Sequence, residues 1–151
     1  MSLPRLYKYH DTVNRQYITS LAEHRQQVPE RVLRLFSHVL NAHAVWAARI
    51  QGQPAPVGVW EVHPTARLLD VHAAAQAETD AILTQADSLD RIVAYTNSKG
   101  ISYHNRVSDI LLHIVNHATY HRGQVAQAMS AIGLPMPSSD YVIMLREAPK
   151  Q

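Results

Sequence analysis

None of the 151 residues is a cysteine. That absence excludes disulfides, cysteine-ligated zinc and a cysteine nucleophile of the protein's own. Long apolar runs are missing too, and no stretch approaches the ~18 apolar residues of a membrane span. The opening MSLPRLYKYHDTVN lacks the apolar core of a signal peptide, so a soluble cytoplasmic protein with no membrane partner is expected. Charge of one sign is equally scarce: a formal net charge of +2, from scattered residues, offers no basic stripe to nucleic acid. Glu-x-x-His occurs nowhere, which removes the ligands of a carboxylate-bridged di-iron site. Against these gaps stands one excess, ten histidines.

The length predicts one domain over residues 1–151, large enough to bury a core. An apolar content of 46% predicts a globular chain and not a disordered one. The pattern is organised around SDILLHIVNHATYHRGQVAQAMSAIG, Ser108 to Gly133, which reads as one long helix. Ser108 is the expected N-terminal cap, Asp109 complements the dipole in the first turn, and Gly133 with Pro135 supplies the stop. Ile110, Ile114, His117, His121, Gln124, Val125 and Ala128 fall near one face at the 3.6-residue period. His113, His117 and His121 repeat every fourth residue, each drifting about 40° from the last. Two imidazoles at that spacing can address one cation, and the remaining ligand has to come from another element.

Three earlier helices are expected. Arg5 to Arg25 carries a stripe of Leu6, Tyr9, Val13, Tyr17 and Leu21. Pro29 suits the first turn of a second helix, Pro29 to Ile50, whose inward side holds Val32, Leu35, Phe36, His38, Val39, Ala42, Val45 and Trp46. His43 lies about 140° round from His38 on that helix. A Pro/Gly-rich connection, GQPAPVGVWEVHP, leads to a third helix from Pro64–Thr65 to about Ala86, with Leu68, Val71, His72, Ala75, Ile82 and Leu83 inward. Between Arg91 and Arg106, two β-branched and aromatic runs flank the turn signal at 97–100, predicting a short hairpin or extended crossover. The Pro-rich tail LPMPSSDYVIMLREAPKQ is too rich in proline to begin as a helix and is expected to wrap back over the helices. The sum is an all-α four-helix bundle with long crossover connections.

Bundles build metal sites from side chains on facing helices. His117 and His121 supply one wall and His38 the best opposite wall, a set that suits Zn²⁺, Ni²⁺ or Fe²⁺ with coordination positions left open. The alternative is that these are core histidines satisfied by hydrogen bonds. A zincin is excluded, because Ala118 stands where the general-base glutamate belongs. Gly123 inside the helix predicts close approach of another helix or of the tail. Arg122 can steer anions to the pocket or bond carbonyls of a neighbouring loop, the structural role being the one expected. Trp46 and Trp60 are expected to serve as core or pocket wall and not as substrate stackers.

At Leu111 to Val125, LLHIVNHATYHRGQV, the chain resembles the signature of the DinB/YfiT-like family of metalloenzymes, with its His-x-x-x-His-Arg-Gly-Gln core. Phe36 to Trp46 is similar to that family's second-helix motif, and Tyr9, Asn14, Gly133-Leu-Pro and Asp140-Tyr141 match elsewhere along the chain. The resemblance implies a four-helix bundle, commonly a homodimer, with one divalent metal on His38, His117 and His121. It leaves His43, His113, Gln124 and Tyr120 as pocket residues or as partners of the ligands. Some relatives are metal-dependent transferases of low-molecular-weight thiols and others are hydrolase-like, so a small-molecule substrate is expected. A second reading, of a different class, is a non-catalytic, stress-associated dimer that sequesters a metal or ligand.

Overall fold

The computed structural model describes residues 2–85, 89–97 and 99–146. Ala86, where the third helix was expected to end, Ser98 in the hairpin turn, and 147–151 of the tail lie outside the described residues. Helix α1 spans Leu3–Glu23, α2 Glu30–Ile50, α3 Leu68–Leu83 and α4 Val107–Ser130. A 3₁₀ turn at Thr65–Arg67 leads into α3, strands β1 (Ile92–Thr96) and β2 (Ser102–Arg106) precede α4, and a short α5 (Tyr141–Met144) follows it. The described residues are thus mostly helical, with one small sheet among them. No described helix is long and apolar enough to cross a membrane.

Helix α2 lies at the centre, packed on both α3 and α4, and for that reason nearly every residue from Phe36 to Val45 is buried. Its periodic stripe therefore widens to the whole circumference. Pro29 stands just outside the helix, with extended backbone (ψ 145°), and its carbonyl accepts from the Val32 and Leu33 amides. The residue expected inside the first turn thus serves as its N-cap. Helix α1 buries the five expected side chains and also Tyr7, His10, Asn14 and Ile18, because it meets both α3 and α4. Tyr17 stacks on Phe36 with ring centroids 6.0 Å apart, tying α1 to α2.

The hairpin is antiparallel, with Val93 opposite Asn105 and Tyr95 opposite Tyr103. Its turn is closed by the Asn97 side chain, which accepts from the Lys99 and Ile101 amides, and by Gly100 at φ +77°. Strand β2 runs straight into α4, and this changes the start of that helix. Arg106 is its N-cap, Ser108 makes no side-chain cap bond, and the Ser108 amide donates instead to the Leu89 carbonyl. The loop before the hairpin does the work expected of the serine.

The C-terminal stop of α4 is Gly133 at φ +78°. The Leu134 amide reaches the Met129 carbonyl and the Gly133 amide that of Ser130, the paired bonds of a Schellman ending. The described part of the tail lies back along α1, where Tyr9 Oη donates to the Ser139 carbonyl at 2.7 Å. Tyr9 also meets Tyr141 edge-on. The tail begins without helix, as its prolines predict, and only past them does Asp140 accept from the Val142 amide and start the single turn of α5.

Candidate metal centre

Three contacts set the course of α2 and α4. Trp46 meets His113, His38 meets His117 and His121, and Arg31 shares a groove with Ala131, so the two helices run antiparallel. At the middle of their seam the three imidazoles converge. One ring nitrogen from each of His38, His117 and His121 lies within 4.8 Å of the others. His38 is buried, and the two α4 rings are half-buried. Their planes stand nearly perpendicular to one another, with centroids 4.5–5.0 Å apart.

Neighbours select which nitrogen faces the centre. His38 Nδ1 donates to the Val59 carbonyl at 3.0 Å, so its Nε2 carries the lone pair. His121 Nδ1 donates to Gln124 Oε1 at 2.6 Å, which frees its Nε2 in the same way. An outer acceptor that fixes tautomer and ring angle is what metal-ligating histidines ordinarily have. Burial, then the His121, His38 and His113 rings, pushes the His117 pKa down to about 4. Burial likewise lowers that of His38, against the opposing pull of the Val59 carbonyl. Neutral imidazoles at pH 7 are in the state that binds a cation. The donor set fits a borderline divalent ion such as Zn²⁺, Ni²⁺ or Fe²⁺.

The connection between α2 and α3 holds this arrangement in place. Asn41 Nδ2 donates to the Glu61 carbonyl at 2.7 Å, the His63 amide to Ser37 Oγ at 3.0 Å, and His63 Nε2 lies 2.6 Å from Asn41 Oδ1. Trp60 stacks on His38 at 3.8 Å with planes 7° apart, and the Arg34 guanidinium sits over the same indole. Ser37 and Asn41, polar residues one turn apart on a buried stretch, were the signal for this docking in the sequence.

The other singled-out residues lie around or away from the centre. Gln124 touches His121 directly. Tyr120 is 65% exposed and meets His121 edge-on at 5.0 Å. His113 does not join the three. It is exposed, its ring 5.7 Å from that of His117, and it edges Trp46 at the rim of a cavity of about 230 Å³. His43 is not beside the centre, since the 140° rotation carries it to the opposite side of α2, where it bonds His10 and Thr79.

That far side holds a second group of histidines, which sequence reasoning did not assemble. His43 Nδ1 donates to His10 Nε2 at 3.4 Å, and the Thr79 hydroxyl donates to His43 Nε2 at 2.8 Å. Asn14 Nδ2 donates to the same His10 nitrogen at 3.1 Å, and His72 Nε2 pairs with Asp11 Oδ1 at 2.8 Å. Arg122 is fully buried, donating to Asn14 Oδ1, Tyr9 Oη and Thr119 Oγ1. Its partners are side chains and not the loop carbonyls expected. Among the described residues, nothing lies within 4 Å of the position a Cβ would take at Gly123, so no described part of another helix or of the tail approaches it.

A mostly helical fold that gathers three imidazoles between two antiparallel helices defines a class with a site that could hold a metal ion. Comparison with known proteins narrows this. A model of the DinB family matches residues 8–151, and the chain belongs to that family. It is similar to Protein DinB of Bacillus subtilis (strain 168), 23% identical over 158 residues that cover 93% of this chain and 92% of that protein.

Proposed function

We propose that this DinB-family chain is a metal-dependent enzyme built on a four-helix bundle, acting on a small molecule by thiol S-transfer or by hydrolysis. One observation carries the reading: two of the three converging imidazoles have their outer nitrogens already engaged, so both present Nε2 lone pairs to a common point. His38, His117 and His121 would hold a single Zn²⁺, Ni²⁺ or Fe²⁺. Such an ion supplies Lewis acidity, which makes a water or thiol nucleophilic near neutral pH. The chain contributes orientation and shielding. Val59 and Gln124 fix two ring angles, Trp60 covers one face of His38, and the half-buried His117 and His121 leave the opposite side open. No cysteine is present, so a thiol nucleophile enters as cosubstrate.

The test is metal analysis of protein purified without a histidine tag, followed by turnover of an electrophile with an added low-molecular-weight thiol, or of an ester without one. Wild-type protein is expected to carry or take up one divalent ion per chain and to turn over. His117→Ala/His121→Ala is expected to do neither. Equal rates in the two proteins would sink the enzymatic reading, and tight metal without turnover would favour a binding protein.

A further inference from the structure

South of the centre, toward the start of α2, the same seam opens into a groove of about 420 Å³ lined by Arg31, Leu35, Gln124, Gln127, Ala128 and Ala131. That volume lies in the range of small-molecule sites. Its composition is specific. Leu35 and two alanines form its apolar lining, Gln124 and Gln127 contribute two amides, and Arg31 supplies the sole formal charge in the lining. Arg15, Arg67 and Arg106 each pair with an aspartate, whereas Arg31 has no carboxylate, carbonyl or ring partner among the described residues. An unpaired guanidinium beside an apolar trough, with no acid in the lining, is complementary to an organic anion.

Spacing connects the groove to the imidazoles. Arg31 precedes His38 by seven residues, two helical turns on nearly the same face, or about 10 Å along the axis. Gln124 and Ala131 repeat that interval from His117 on the facing helix. Gln124 belongs to both places, since it lines the groove and accepts from His121 Nδ1. Gln124 is thus the link between the trough and the imidazoles, and a ligand about 10 Å long with one end at Arg31 would bring its other end level with His38.

We propose that this groove is the substrate's carboxylate subsite, so that the molecule handled at the centre is an extended aliphatic or similarly slim organic acid. Its carboxylate is held by Arg31 with help from Gln127, and its reacting group lies about two helical turns away. Guanidinium is suited to this role because its planar fork can bond both carboxylate oxygens. The assignment of the reacting end rests on the metal-dependent reading above. The carboxylate end does not.

The experiment uses the full chain loaded with Co²⁺, whose absorption reports entry of a thiol into its coordination sphere, and two probes of equal length, 6-mercaptohexanoate and 6-mercaptohexanol. The wild type is expected to bind the acid about tenfold more tightly than the alcohol, the size of one charge-assisted contact. Arg31→Gln is expected to abolish that preference and leave the alcohol's affinity unchanged, with Arg31→Lys in between. Equal affinities in the wild type, or a preference that survives Arg31→Gln, overturn the subsite. If neither thiol alters the cobalt spectrum, the metal reading fails, and the subsite is judged by titrating hexanoate against the amide resonances of Gln127, Ala128 and Ala131. Shifts in the wild type that vanish in Arg31→Gln uphold it, and their absence from the wild type overturns it.

Discussion

His38 Nε2 and His117 Nε2 stand 3.1 Å apart across the α2–α4 seam. Two nitrogens on one tetrahedral zinc, with bonds of about 2.0 Å, keep roughly 3.3 Å between them. Because His38 Nδ1 donates to Val59, its Nε2 brings a lone pair to this contact, and a cation or a proton has to lie between the rings. Zinc at about a hundredfold over its Kd should therefore add about 2.7 kcal/mol of stability. For a chain of this length that raises Tm by about 5–10 °C. Scanning calorimetry with zinc and with a chelator checks it, and His38→Ala should abolish the rise.

Gln124 touches no candidate cation position, yet it fixes the tautomer of His121. Gln124→Leu should weaken zinc binding by about 10- to 100-fold, the usual cost of losing such a partner. Competition with a chromophoric chelator reads the affinity. A variant with wild-type affinity and unchanged fold would show that His121 orients itself.

The far-side histidines make stability depend on pH. Burial is the first cause that holds His10 and His72 low, and it brings His43 down to about 3; neighbouring rings add to the effect at His10 and His43, and Arg15 and Arg122 at His72. The groups facing them are Asp11, Arg15 and Arg122, and Asp11 pulls His43 and His72 the other way. Each folded pKa lies below the unfolded value of about 6.5, so within that window the unfolded chain binds more protons. Stability is fully present above about pH 6.5 and is lost on acidification, by about 1.4 kcal/mol per pH unit for each such group. Urea unfolding at pH 7.5, 6.0 and 5.0 measures the slope, and His43→Gln should make it shallower. A flat wild-type profile contradicts the argument.

Arg122 is fully buried and bonded to three side chains. Arg122→Met removes its charge but leaves Asn14 Oδ1 without its donor. A loss of about 2–4 kcal/mol is expected from denaturant unfolding.

Gly123, the next residue, should behave in the opposite way. With open space where a Cβ would stand, Gly123→Ala should gain about 1 kcal/mol of helix propensity. That is a rise of roughly 2–4 °C in Tm. A loss of stability instead, above all one that depends on protein concentration, would place a second copy of the chain against this face of α4.

The features legible in sequence were those fixed within one element. The i, i+4 spacing put His117 and His121 on one side of α4, the inward stripe put His38 toward them, and the turn residues marked the hairpin. What escaped depended on how elements meet. His10 and His72 each look like isolated polar residues on their own helices, and only the packing of α1 and α3 against α2 brings them to His43. Ser108 had the right chemistry for a cap, but β2 enters α4 with no intervening loop, so the N-cap falls two residues earlier, at Arg106. Gly123 suggested a close neighbour because a helical glycine carries a cost, yet nothing in the described fold offsets that cost.

The stacking of Trp60 on His38 also has a practical side. An indole 3.8 Å from an imidazole loses more of its fluorescence when that imidazole turns electron-poor. Occupancy at the seam should thus be visible as dimming of Trp60, without any added label. Trp46 borders Tyr95 and His113 instead, and replacing it with phenylalanine leaves one emitter as a built-in gauge of loading.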